Sequence, residues 1–118
     1  MIKIKRVYDP PSKDDGKRVL VDRLWPRGLS KEDAQAEEWI RDIAPSDELR
    51  RWFSHDPSRW ADFRKKYKDE LKTKLELLDR LRNEAEKRTL TLLFGAKDAK
   101  QNNAAVLKEV LEGKGDDR

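Results

Sequence analysis

Thr89-Leu90-Thr91-Leu92-Leu93-Phe94, running straight into Gly95-Ala96-Lys97-Asp98, is the stretch on which the fold turns. It is nearly all apolar, as a strand is when both faces of its sheet are covered, and so it belongs at the centre of a sheet. A helix predicted over 98–111 follows it and ends the fold. Toward the N-terminus, Ile2-Lys3-Ile4-Lys5-Arg6-Val7 alternates apolar and charged residues, and Val19-Leu20-Val21 is a short β-branched run, so both read as strands. Between them Asp9-Pro10-Pro11-Ser12-Lys13-Asp14-Asp15-Gly16 has the chemistry of loops and turns. Strands mixed with helices, and a buried strand leading into a last helix, predict an α/β layered domain. Val19 to Val21 and Leu90 to Phe94 are expected to be neighbouring interior strands of one mainly parallel sheet.

The remaining segments are mostly helical. Ser30 with Asp33 forms a capping-box pattern, and Ser46 caps a helix that has Asp47 and Glu48 in its first turn and Leu49, Trp52 and Phe53 on its apolar face. Asp56-Pro57 is an N-cap followed by proline at the first helical position. From there Trp60, Phe63, Tyr67, Leu71, Leu75, Leu78, Leu81 and Ala85 recur three or four apart, along one long helix or two in series. Residues 36–43 fit either period. Ala36, Trp39, Ile40 and Ile43 match a helix face and Trp39, Arg41 and Ile43 a strand, and both readings end at Ala44 because the residue before Pro45 avoids the α region.

Charged residues make up 44% of the 118-residue chain against 36% hydrophobic, so the core must be thin and drawn from these periodic segments. One compact domain over 1–112 is expected, with 113–118 as a disordered tail. The net charge is +4, and its basic excess sits in residues 1–28 and 59–88. In 59–88 the signs alternate along helix, which predicts a solvated, ion-paired face ahead of a nucleic-acid stripe. The absence of cysteine removes disulfides and thiolate chemistry, and a single histidine, His55, argues against a zinc site, so no metal is expected. No apolar run is long enough for a signal peptide or a membrane span, which predicts a cytoplasmic protein.

Ligands of open α/β sheets bind beyond the carboxyl ends of the strands. That rule gathers Tyr8 and Asp9, the loop Asp22-Arg23-Leu24-Trp25-Pro26-Arg27-Gly28, and Ala96-Lys97-Asp98. Arg23 and Arg27 are four apart in a loop stiffened by Pro26, so both guanidinium groups can converge on one carboxylate or phosphate, with Trp25 as a wall. The alternative is that Arg23 pairs with an acid and Trp25 packs in the core. Lys97 at the start of the last helix adds a positive end, although Asp98 with Gln101 also forms a capping box, and Asn102 and Asn103 face either cleft or solvent. Neither G-x-x-x-x-G-K nor G-x-G-x-x-G occurs, which excludes the standard nucleotide loops as far as motifs can. Ser54-His55-Asp56 is not a triad, since neighbours in sequence cannot turn three side chains onto one another. His55 reads as a helix-end residue, with a role as general base in the cleft as the lesser alternative.

The runs Val21-Asp22-Arg23-Leu24-Trp25-Pro26-Arg27-Gly28, Ala44-Pro45-Ser46 with Leu49-Arg50-Arg51-Trp52-Phe53 and His55-Asp56-Pro57, Arg59-Trp60 with Phe63 and Tyr67, and Thr91-Leu92-Leu93 with Ala96-Lys97-Asp98 and Asn102 resemble the YeaO-like branch of the domain of unknown function 488 family. The resemblance covers nearly the whole chain. It implies a compact Rossmann-like fold, makes 36–43 a strand, and adds Pro45 and Ser46 to the strand-end cluster. It carries no activity. The chain departs from the family where Phe94 and Gly95 replace an aromatic and alanine, and at Asn103, where histidine is frequent.

The function these readings predict is recognition of a small anion by Arg23, Arg27 and Lys97, with Trp25, Ser46 and Asn102 as further ligand contacts. Asp22 and Asp98 are the acid/base candidates, with His55 beside them. A nucleic-acid- or protein-binding module using the basic surface is the alternative. The sequence names no cofactor.

Overall fold

The computed structural model describes residues 1–113 and places four strands in one parallel sheet: β1 (Ile2–Arg6), β2 (Lys17–Leu20), β3 (Glu38–Trp39) and β4 (Leu90–Phe94), in the order β1-β4-β2-β3. The helices are α1 (Lys31–Ala34), α2 (Asp47–Phe53), α3 (Trp60–Leu71), α4 (Leu75–Lys87) and α5 (Asn103–Leu111). All five residues of β4 are buried, and β4 lies between β1, with Ile2 opposite Leu90, and β2, with Val19 opposite Leu92. The two strands expected to be interior and parallel are so.

Alternation along the strands divides the core in two. Val19, Leu90, Leu92 and Phe94 face a thick layer built from α2 to α5, whereas Leu20 and Leu93 face a thin cover of Ala34, Trp25, Leu29 and Trp39. The pattern of β1 follows from this division. Ile2 and Ile4 pack on the helical side, while Lys3 bonds the Asp14 carbonyl at 3.2 Å and Lys5 the Asp15 carboxylate at 3.1 Å on the other. Under the thin cover lies a buried ion pair. Arg18 meets Asp15 at 2.5 Å and donates to the carbonyls of Ala34, at 2.7 Å, and Gln35, at 3.1 Å. Gly16 makes the turn into β2 at φ +61°, and a Cβ there would stand 2.2 Å from the Thr89 carbonyl oxygen, so only glycine fits.

Four expectations are refined. The predicted strand over 36–43 shrinks to β3, because after the Ile40 N–H bonds the Leu20 carbonyl the chain tightens into a 3-10 turn, Arg41–Ile43, that buries Ile43. The apolar repeat over 60–85 is two helices, and the break between them turns Leu75 outward to 63% exposure. The last helix begins at Asn103 instead of Asp98. Asp98 closes an earlier turn by accepting from the Lys100 and Gln101 N–H groups, and Asn102 is the cap, accepting from the Ala105 N–H at 2.9 Å. Of the tail, 114–118 lie outside the described residues, and Gly113 forms a turn whose N–H bonds the Val110 carbonyl.

Among the described residues no helix is long and apolar enough to cross a membrane, and no group of three acidic or histidine side chains is placed to hold a metal. The cations of 59–88 largely meet acids, as Arg64 does with Glu109, Arg80 with Glu38, Arg82 with Asp79 and Arg88 with Glu37. This is the ion-paired face that the sequence predicts.

Candidate functional site

At the carboxyl ends of the strands the loop 22–28, the turn after β4, the end of α2 and the start of α5 surround a cleft of about 310 Å³. Three devices hold its loop. The Tyr8 hydroxyl donates to the Arg27 carbonyl at 2.8 Å, Trp25 Nε1 to the Leu29 carbonyl at 2.6 Å, and Trp39 Nε1 to the Asp22 carbonyl at 2.7 Å. Trp25 and Trp39 meet edge to face, with centroids 5.4 Å apart.

Asp22 forms the floor. Its Oδ2 accepts the Gly95 N–H at 2.8 Å and its Oδ1 the Asn103 Nδ2 at 3.0 Å, and Asn103 also donates to the Val21 carbonyl at 3.0 Å. A Cβ on residue 95 would stand 3.1 Å from Oδ2, a tight contact that a shift of a few tenths of an ångström in the Asp22 side chain would relieve. Burial pushes the Asp22 carboxyl above the ordinary aspartate range, against the opposing pull of Asn103, Gly95 and the charge of His55. Below the floor Tyr67 is fully buried and donates to the Ile43 carbonyl at 2.7 Å. Its phenol is held far above the usual range by burial, with Asp22 and Glu70 adding to the effect.

Cations define the rim. Arg23 is clamped by the carbonyls of Pro45, at 3.0 Å, and Ala44, at 3.2 Å, and forms no ion pair with an acid of the described residues, so the carboxylate partner offered as its alternative role is not what holds it. The exposed Arg27 guanidinium has no side-chain partner among the described residues. Arg50 reaches the same cleft and touches Asp47 only loosely, at 3.5 Å between exposed groups. His55 lines the cleft from a left-handed backbone position, φ +55°, just past the end of α2. Phe53 and Phe63, stacked at 4.3 Å, complete the wall. Three arginines thus line a cleft in which Asp22 is the one acidic residue.

Of the residues predicted from sequence, the structure brings together Asp22, Arg23, Trp25, Arg27, His55 and Asn102. Asn102 is buried and spends its amide on capping α5 and on the Asp98 carbonyl at 3.0 Å, so it builds the wall without offering a free group. Lys97 and Asp98 are exposed and lie off the cleft, because the helix expected to start beside them starts five residues later. Asp98 is held below the ordinary range by the two N–H groups it accepts, the condition of a turn cap. Ser46 also stands aside. Its hydroxyl donates to Glu70 at 2.6 Å and accepts from the Leu49 N–H at 3.1 Å. Arg50 and the aiming role of Asn103 were not foreseen. The signal for Arg50 was its spacing from Phe53, three residues on along α2, whereas nothing local distinguishes Asn103 from Asn102.

Comparison with known proteins agrees with the resemblance. The chain is 47% identical over 110 residues to the Uncharacterized protein YeaO of Escherichia coli strain K12, a match covering 93% of this chain and 96% of that one. It is 38% identical over 113 residues, 96% of this chain and 95% of the relative, to the Uncharacterized protein Rv3073c of Mycobacterium tuberculosis strain H37Rv, and equally so to the Uncharacterized protein Mb3100c of Mycobacterium bovis. No solved structure matches. The model of one family, described as the inactive DUF488-N3 subclade, spans residues 1–118, and it is to this subclade that the chain belongs.

Proposed function

We propose that this protein, one α/β domain over 1–112 working in the cytoplasm, binds a small anion of the phosphate class in the cleft at its strand ends. The observation that carries the reading is the convergence of Arg23, Arg27 and Arg50 on a cleft with Asp22 as its one acid, Arg27 having no side-chain partner among the described residues. Cations that outnumber the acids around a cleft repel one another, and a bound anion relieves that repulsion. Asp22 and His55 both line the cleft and are the acid and base candidates there for a substrate. The description of the subclade as inactive favours binding without turnover. The basic helices support a nucleic-acid module less well, since their cations are largely met by acids.

A thermal-shift titration tests the reading. Phosphate at a hundred times its dissociation constant should stabilise the fold by about 2.7 kcal/mol through mass action. Chloride at equal ionic strength should not, because screening acts with either salt. Arg27→Ala should abolish the phosphate response and leave the anion-free melting temperature unchanged. Equal shifts from both salts, or a full response in the variant, would remove the site.

A further inference from the structure

We infer that the cleft takes a guanine-type nucleoside monophosphate, its floor offering hydrogen-bond acceptors to the base and its rim guanidinium groups to the phosphate. The inference rests on the anion reading above and names the ligand class for that site.

The floor has spent its donors. Asn103 Nδ2 gives to the Val21 carbonyl and to Asp22 Oδ1, and the Gly95 N–H gives to Asp22 Oδ2. The opposite orientation of the Asn103 amide would set its oxygen against two other oxygens, so its neighbours fix which end faces them. What remains toward the cleft is the Asn103 carbonyl oxygen and the unfilled lone pairs of Asp22, both acceptors. On the walls the Tyr8 hydroxyl and Trp25 Nε1 are committed to the Arg27 and Leu29 carbonyls, which leaves ring faces with Gln101 and His55 as the polar side chains among them. A flat ring with adjacent N–H donors matches such a surface. Guanine presents two N–H donors side by side, whereas adenine sets an acceptor beside its amino group and would oppose acceptor to acceptor. Gln101, which lines the same cleft, supplies an amide donor for the carbonyl that flanks the guanine N–H groups.

The rim fits the other end of this ligand. Arg27 and Arg50 supply planar forks suited to phosphate oxygens, and Arg23, whose Nε and Nη2 are held by the Pro45 and Ala44 carbonyls, keeps Nη1 to add to them. No glycine-rich phosphate loop occurs in the sequence, and the arginine side chains are the groups the rim offers to a phosphate. The cleft volume of about 310 Å³ is at the lower end for small-molecule sites. That favours a monophosphate over a triphosphate or a dinucleotide.

Calorimetry on the full chain with GMP, AMP, guanosine and inorganic phosphate, at matched ionic strength, tests this. GMP should bind tightest, by roughly tenfold or more over AMP, the discrimination one well-made base-edge contact supplies, and also ahead of phosphate and guanosine. Asp22→Asn should erase the preference for GMP over AMP and keep the phosphate response. The wild-type series decides the matter even where that variant does not fold. Phosphate binding with GMP no tighter would overturn the nucleotide inference and leave the anion reading standing, as would equal binding of GMP and AMP for the guanine edge. Guanosine binding as well as GMP, with no response to phosphate, would overturn the anion reading and the monophosphate together. Absence of binding by all four would end both.

Discussion

Asp15→Ala tests the least expected feature of the fold, the charge buried under the thin side of the sheet. The Arg18 side chain is 6% exposed, and it is held by Asp15 at 2.5 Å and by the carbonyls of Ala34 and Gln35. Removing the carboxylate leaves a guanidinium that cannot reach water and has only neutral acceptors. Breaking a buried pair from one side typically costs about 3–5 kcal/mol, which is a large share of the roughly 5–15 kcal/mol that keeps a domain folded. Lys5 softens nothing here, for its cation is more exposed and turns to solvent once Asp15 is gone. Urea unfolding followed by tryptophan fluorescence at pH 7 reads the loss as a lower midpoint at constant slope. The double variant Asp15→Ala/Arg18→Met removes both charges and should recover much of the stability, a coupling that a double-mutant cycle isolates. pH gives a second check. Contacts from Ser12, Lys5 and Arg18 outweigh burial and hold the Asp15 carboxyl below its ordinary 3.8. A depressed carboxylate contributes stability that is complete above the unfolded pKa and is lost as pH falls through the folded one, so the gap between wild type and Asp15→Ala should close below about pH 3.8. A loss under about 1 kcal/mol at pH 7, within the range of surface pairs, would refute the account.

Further expectations concern the core and the cleft. Tyr67→Phe leaves the buried Ile43 carbonyl without its donor and should cost about 1–3 kcal/mol in the same unfolding assay; no change would mean the hydrogen bond is replaced by water. Trp60→Ala should cost about 3 kcal/mol, the low end for large aromatics, because the ring is only half-buried against Phe53 and Phe63; little loss would make Trp60 a surface residue. Gly16→Ala should lower stability by more than about 3 kcal/mol, since strain at positive φ adds to a clash with the Thr89 backbone, and a near-neutral result would show that the turn can move. Sulfate should stabilise the chain increasingly as pH falls from neutral into the acid range. Asp22, its carboxyl raised by burial, sheds its negative charge as pH falls through that raised value, and the cleft becomes more positive. His55 and Tyr67 also interact with Asp22, so the comparison belongs in a His55→Gln background, where Asp22→Asn should flatten the gradient.

Much of the fold was written locally. The unbroken apolar run of β4 required burial on both faces, and the caps at Ser30, Ser46 and Asp56 marked where helical turns begin. The boundaries misjudged were those where local rules compete. Asp98 and Asn102 are both good caps, and the chain chose Asn102 because it is there that the helix can pack Ala104, Val106 and Leu107 into the core. Leu75 kept the apolar period and still faces water, because the break before α4 resets the phase.

The cleft divides in the same way. The loop Asp22 to Gly28 was visible as chemistry at a strand end, since a proline-stiffened turn bearing two arginines is a local property of the chain. Which cations it meets is not local. Lys97 lay close to the loop by topological rule and was carried off the cleft when the helix start moved to Asn103, while Arg50 arrived from α2, on the side of that helix that carries Phe53. The partners of Asp15 and Arg18, three residues apart in what reads as a turn and a strand, became a buried network only because the sheet is covered so thinly on that side. Sequence by itself determined β1, β2 and β4, the caps at Ser30, Ser46 and Asp56 and the arginine-bearing loop, because these depend on neighbours within a turn or two of chain. Tertiary structure alone decided which charges are buried, which amide aims the Asp22 carboxylate and which guanidinium groups share a cleft, because those depend on distances between residues as much as 81 apart along the chain.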